Sequence, residues 1–430
     1  MTATQRPGEL KRQVLVMLTA AMTAVLARWW GGYPNCPTDE LNWAEIAAQL
    51  DQGVNWPVSG PLHVASLRLL ARGLRLDYRQ TLALMGVLFV PLAMLVVVSR
   101  YRRLDIKPVR MALMALCLSS YFWAALIESR PQQVGQVLVL LGGTSLWLAL
   151  SRRGPWWLYA ATLVLLAFIH ILSFVLLGML SLWLLAYFFL LREASVTTLA
   201  RCGAALAMSA LVFVLPGGPY QAMLGDIAVN HLQGNGGRLT ALGGLGALAV
   251  MALLALRDPV RFRLLPWFEH RLVRARARPL LFGLVTAAVV TATLSAQAAL
   301  LPPDAWRPYG GSVARFALSQ MGNLMFGALV LVGWIDTVTR ADTPAGLRAL
   351  SVMCLGWAVI GCALLGASLF LLDTNWLLRV LNYAILFAAP LAAVPLAVAL
   401  RRYRMLWVVA VVVASASFLL AVRHLAIYSC

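Results

Sequence analysis

Asp39 and Glu40 stand side by side just past the first apolar run, in a chain with 16 acidic residues among 430. Acidic side chains held where a membrane helix meets water are candidates for chemistry. A carboxylate in such a place can act as general base on an acceptor hydroxyl or amine. The same pair also suits the start of an interfacial helix, with Thr38 or Asp39 as N-cap and acids in the first turn. Glu128 is the third acid of interest. It opens Glu128-Ser129-Arg130-Pro131, a short polar connection between two apolar runs. Arg130 can hold it ionised by charge pairing, and a structural ion pair closing a tight turn is the competing reading.

The cations point to phosphate. Arg68, Arg72, Arg75 and Arg79 recur at steps of four, three and four, so a single helix carries them as one stripe. Guanidinium groups match phosphate geometry, which fits a lipid phosphate or pyrophosphate. Snorkelling to ordinary headgroups is the alternative. Arg379 lies one turn inside a late apolar run, near Asp373, Asn382 and Tyr383. An arginine there needs an anionic partner, either Asp373 or a phosphate. His170, in FIHILSF, is an imidazole at an apparent break between spans. It is either a satisfied structural residue or a group that binds phosphate or metal. His63 and His231 are further imidazoles. No HExxH, CxxC or Asp-rich cluster marks a dedicated metal site, although a divalent ion beside the acids stays open. Without a Walker A, GxSxG or Rossmann fingerprint, ATP-driven transport and serine hydrolysis have no support.

The elements that must position these residues are membrane helices. The chain is 61% hydrophobic, with mean hydropathy +0.81, too apolar for a soluble protein of this length. The expected fold is all-α, a single integral membrane domain over 1–430 with about thirteen transmembrane helices. The spans fall near 13–30, 80–99, 110–127, 132–150, 156–170, 172–191, 199–216, 238–256, 279–301, 314–334, 347–371, 377–399 and 405–424. The uncharged stretch 156–191 is too long for one crossing and is divided at His170. Residues 31–79 form the first outer loop, with amphipathic interfacial helices at 41–52 and 62–79 separated by Gly53 and the Pro57…Gly60-Pro61 segment.

The net charge is +19, and its distribution argues against nucleic acid as a partner. Basic residues cluster between apolar runs, at 100–110, 151–154, 261–278 and 401–404. That pattern sets orientation, with the N-terminus and these loops cytoplasmic and the C-terminus outside. Membrane lipids, anionic on the cytoplasmic side, are the expected partner of these clusters. Asp39, Glu40, Glu128, Arg130, His170, His231, Asp373 and Arg379 then all reach the outer face. Cys36 and Cys430 also fall there, and a disulfide between them stays open. The first span follows a short basic start and reads as retained rather than cleaved. Two lysines against many arginines suggest a high-GC bacterial gene, hence a bacterial inner membrane.

Together the pattern resembles the GT-C superfamily of integral membrane glycosyltransferases, in its protein O-mannosyltransferase and aminoarabinose-transferase branch. The matching residues are Asp39-Glu40, Ala47 and Ala48, Gly53, the Gly60-Pro61-Leu62 turn and the Leu/Arg-rich segment after it. Trp43 stands near the family's tyrosine, and Ser-Gly-Pro replaces its double proline. Ser129-Arg130-Pro131-Gln132 matches its Arg-Pro-acid turn with Gln for the acid, and His170 and Arg379 resemble a recurrent His and a late-span Arg. The resemblance implies an inverting transfer of sugar from a polyprenyl-phosphate donor to an acceptor on the outer face. Asp39, with Glu40 and Glu128, would be catalytic. Arg68, Arg72, Arg75, Arg130, His170 and Arg379 would hold the donor phosphate. Trp43, His63 and Tyr383 would contact the substrate. A flippase, polymerase or ligase of lipid-linked glycans, and a secondary transporter, are the alternatives.

Overall fold

In the computed structural model, every regular element among the described residues is a helix. Those residues are isolated positions between Leu15 and Trp29, then 39–53, 60–106, 109–127, 129–191, 193–213, 321–340, 342–371 and 375–428. Among the described residues, five helices are long and apolar enough to cross a membrane, and six if one sharply bent pair counts as a single span. This is the make-up of a multi-pass membrane protein. The spans expected at 238–256 and 279–301 lie outside the described residues.

The two short helices of the first loop are α1 (Asp39–Asp51) and α2 (Pro61–Leu74). They pack on each other and on α3 (Tyr78–Arg103) through a small apolar core of Ala44, Ala47, Leu50, Val64, Leu67 and Leu82. Pro61 sits in the first turn of α2, where its missing N–H is no loss. The helix expected over 62–79 is in fact two elements. α2 stops at Leu74, and Arg75 turns into the left-handed region at φ 54°. Asp77 then starts α3 with a capping box. Its carboxylate accepts from Gln80 N–H at 2.7 Å, while the Gln80 side chain accepts from Asp77 N–H at 3.3 Å. Arg79 therefore belongs to α3, and the four-arginine stripe is divided between two helices.

A second expectation also needs correction. The span at 110–127 is broken into α4 (Val109–Cys117) and α5 (Ser120–Ile127), which meet at 92°. Polar side chains from other helices satisfy the corner. Asn323 accepts from Ser119 Oγ at 2.7 Å and from Ser120 N–H at 3.1 Å, and its own amide donates to Ser120 Oγ at 2.8 Å. Ser417 Oγ donates to the Leu118 carbonyl at 2.7 Å. A backbone corner inside an apolar layer is tolerated only when its polar groups are met in this way.

The remaining helices are α6 (Pro131–Leu150), α7 (Trp156–Ile169), α8 (Ile171–Leu191), α9 (Val196–Ala210), α10 (Met321–Thr339), α11 (Ala345–Leu371), α12 (Asn375–Arg402) and α13 (Met405–Tyr428). α6 is the most deeply buried of the candidate spans. Long-range bonds tie the layers together. Tyr101 Oη donates to the Leu386 carbonyl at 2.5 Å and Trp183 Nε1 to the Val352 carbonyl at 3.0 Å.

Successive helices run back and forth, which gives the molecule two distinct ends. α3 carries the chain about 39 Å from Tyr78 to Arg103. Leu104 there backs onto Gly346 at the start of α11. The basic connections after α3, α6, α10 and α12 all belong to this end. The first loop, the α5–α6 turn, His170 and the start of α12 belong to the other.

Candidate functional site

The end that carries the first loop brings together residues from five helices. Its centre is His170, between α7 and α8. Its backbone is extended (φ −160°, ψ 110°), yet its N–H still donates to the Leu166 carbonyl at 3.0 Å. Its carbonyl accepts from Phe174 N–H at 3.1 Å, the first main-chain bond of α8. The helix break expected at His170 is therefore present, although α7, with 14 residues, is shorter than the candidate spans.

His170 Nδ1 lies 2.8 Å from Ser173 Oγ and 3.3 Å from Tyr383 Oη. Ser173 Oγ and Tyr383 Oη are 2.6 Å apart. The Ser173 backbone N–H also points at Nδ1, at 3.3 Å, and can only donate. Nδ1 is therefore the acceptor, and the neutral ring carries its proton on Nε2. Tyr383 is fully buried and stacks on Trp357 with centroids 6.2 Å apart. Gly135 of α6 makes this triad possible, because any Cβ there would collide with Ser173 Oγ.

The first loop closes over the triad. His63 is 5% exposed and meets Trp43 edge-on, with ring centroids 5.6 Å apart at 77°. Its Nε2 is buried without a hydrogen-bond partner. Burial, with the nearby His170 adding to it, pushes the His63 imidazole down to about 4, so the ring is neutral at neutral pH. Gly60 fixes the approach. It sits at φ 77°, and a Cβ there would lie 3.0 Å from the Trp43 ring and 3.3 Å from Pro131. Only glycine combines that backbone with that contact. Through it the first loop rests on the Arg130-Pro131 turn that opens α6. Asn382, beside Tyr383, has its Oδ1 buried and without a partner.

Other expected residues stand as follows. Asp39 and Glu40 open α1, with Asp39 one helical turn before Trp43. Arg379 is one turn before Tyr383 on α12. The side chains of all three lie outside the described residues, as do Glu128, His231 and Asp373 entirely. Arg130 is the N-cap residue of α6 and Ser129 beside it is buried. Trp43, His63, Arg130, His170 and Tyr383 thus gather at one end.

Arg68 and Arg72 do not turn to an open site. Both donate to Asp51 Oδ1, at 2.5 and 2.9 Å, and Tyr78 Oη donates to Asp51 Oδ2. The Tyr78 hydrogen bond first, then Arg68, pushes the Asp51 carboxyl down to about 2. The Arg75 backbone makes the turn between α2 and α3, and its side chain is exposed. Arg68 and Arg72 tie α2 to the end of α1.

Sequence reasoning missed Ser173, Gly135, Asn323 and Asp51. Ser173 lies three residues after His170 at a helix start, and Asn323 interrupts an apolar helix. Both signals were there to read. Among the described residues, no group of three or more His, Cys, Asp or Glu could hold a metal ion.

No protein-family model, curated protein or solved structure matches the chain.

Proposed function

We propose that this protein is an integral membrane glycosyltransferase that moves a sugar from a polyprenyl phosphate to an acceptor on the outer face of a bacterial inner membrane, with inversion. The observation that carries the reading is the convergence of Trp43, His63, His170, Ser173 and Tyr383 at the end opposite the basic connections. The positive-inside bias puts that end outside.

Asp39 takes the proton of the acceptor hydroxyl or amine. The acceptor then attacks the anomeric carbon as the bond to the lipid phosphate breaks. Arg130, Arg379 and the Nε2 proton of His170 carry the charge that appears on the departing phosphate. A neutral His63 suits a sugar hydroxyl, which can donate to or accept from it, and Trp43 beside it offers an apolar ring face. Arg68 and Arg72 drop out of the donor site because Asp51 holds them. The reading needs only a lipid-linked donor, in line with a chain that has no nucleotide-binding motif.

The 92° corner between α4 and α5 favours a second reading, a secondary transporter, because broken helices recur at transporter binding sites. One experiment separates the two. Purified protein is tested for thermal stabilisation by a polyprenyl phosphate and for transfer from a polyprenyl-phosphate sugar. A glycosyltransferase is stabilised by the lipid. It loses that response in Arg379→Ala, and it loses transfer by about 10²–10⁴-fold in Asp39→Asn. Full transfer by a folded Asp39→Asn protein ends the assignment of the base. Stabilisation by a soluble solute alone supports the transporter.

A further inference from the structure

A groove lies between α7 and α9, away from the His170 cluster. The two helices leave an open groove of about 400 Å³. Ala160 and Val164 line one wall, and Ala205 and Met208 the other. The small alanines are what open it, since longer side chains at those positions would fill the space. Trp156 and Arg201 close the end nearest the basic connections, and no acidic residue lines any part of it. Arg201 is exposed, as are Arg152 and Arg153 on the turn that leads into α7. Trp156 and Trp157 stand at the start of α7, half-exposed, where aromatic side chains mark a membrane–water boundary.

We propose that this groove holds one acyl chain of an anionic phospholipid, with the lipid phosphate paired to Arg201. Three features select that occupant. The walls are apolar along α7 and α9, so a hydrocarbon chain fits and a free anion does not. The single lining charge is positive and sits at one end, as a headgroup requires. The size excludes a partner helix, which is about 10 Å across and needs roughly twice this volume over the 10 Å from Arg201 to Met208. Arg201 lies about 8 Å inside the start of α9, a depth from which an arginine snorkels to the headgroup. The site faces the leaflet opposite the proposed sugar-transfer centre and does not depend on that reading.

The test uses the full-length protein in detergent and native mass spectrometry, with phosphatidylglycerol and phosphatidylcholine of equal chain length as probes. The wild type retains one phosphatidylglycerol in preference to phosphatidylcholine. Arg201→Gln lowers that preference about fivefold, the value of one arginine near an anionic surface. Ala205→Trp fills the groove and removes the retained lipid of either kind. Equal retention of the two lipids by the wild type overturns the proposal. So does an unchanged preference in Arg201→Gln, or full lipid retention in Ala205→Trp. Displacement of phosphatidylglycerol by inorganic phosphate alone also overturns it, because the chain would then contribute nothing.

Discussion

Two polar clusters share one end of this molecule and are built on opposite terms. Around Asp51 the carboxylate is fully engaged by cations and a hydroxyl. Two arginines and a tyrosine converge on one carboxylate that is 37% exposed, and the result ties α1, α2 and α3 together. Around His170, the side chains of His63, Ser173 and Tyr383 are buried, and His63 Nε2 and Asn382 Oδ1 have no hydrogen-bond partner. A cluster of paired charges at the water boundary is a fastening. A buried cluster with unmet polar atoms carries a standing penalty of about 1–3 kcal/mol for each atom. Such atoms are what a ligand can satisfy.

The contrast can be broken most forcefully at Gly135. Gly135→Val drives a side chain into Ser173 and His170. It should remove transfer activity and lower stability by about 1–3 kcal/mol, as overpacking does, read as activity and a thermal melt. Next in size is the acid limb of stability. His63 has its pKa depressed from 6.5 to about 4, so below pH 6.5 the unfolded chain binds more protons than the folded one. Stability is fully present above pH 6.5 and falls as the pH drops toward 4, by at most roughly 3 kcal/mol. His63→Gln should flatten melts taken between pH 7.5 and 5, and an unchanged slope would assign the acid sensitivity elsewhere. Tyr383→Phe removes the bond to Ser173 and should cost about 1 kcal/mol. The smallest effect belongs to the saturated cluster. Asp51→Asn should shift the melting temperature by no more than about 2 °C and leave transfer intact. A large activity loss in Asp51→Asn would erase the distinction between the two clusters.

Some of this was legible in the chain. An uncharged stretch too long for one crossing pointed to the break at His170. The Gly60-Pro61 turn announced α2, because φ above zero and a first-turn proline are local requirements. What stayed hidden was non-local or concealed by a stronger pattern. The even spacing of four arginines read as one helix, although Asp77, between the third and fourth, carried a capping signal with Gln80 just beyond. Asp51 was missed because its partners lie 17, 21 and 27 residues away. The α4–α5 corner was marked only by Ser119-Ser120, a pair that helices often accommodate without bending.

That corner has a consequence for how the protein is made. Ser119 depends on Asn323, 204 residues later in the chain. While the ribosome is still producing the intervening segments, the corner's backbone groups have no amide to meet them in the lipid. The economical state for 109–127 at that stage is a straight helix with its own bonds closed. The bend is therefore a late event, set when α10 enters the bilayer. Until then, the turn before α6 and the whole first half of the site lack their final alignment. The N-terminal half is inserted early and becomes a site only when the C-terminal half arrives.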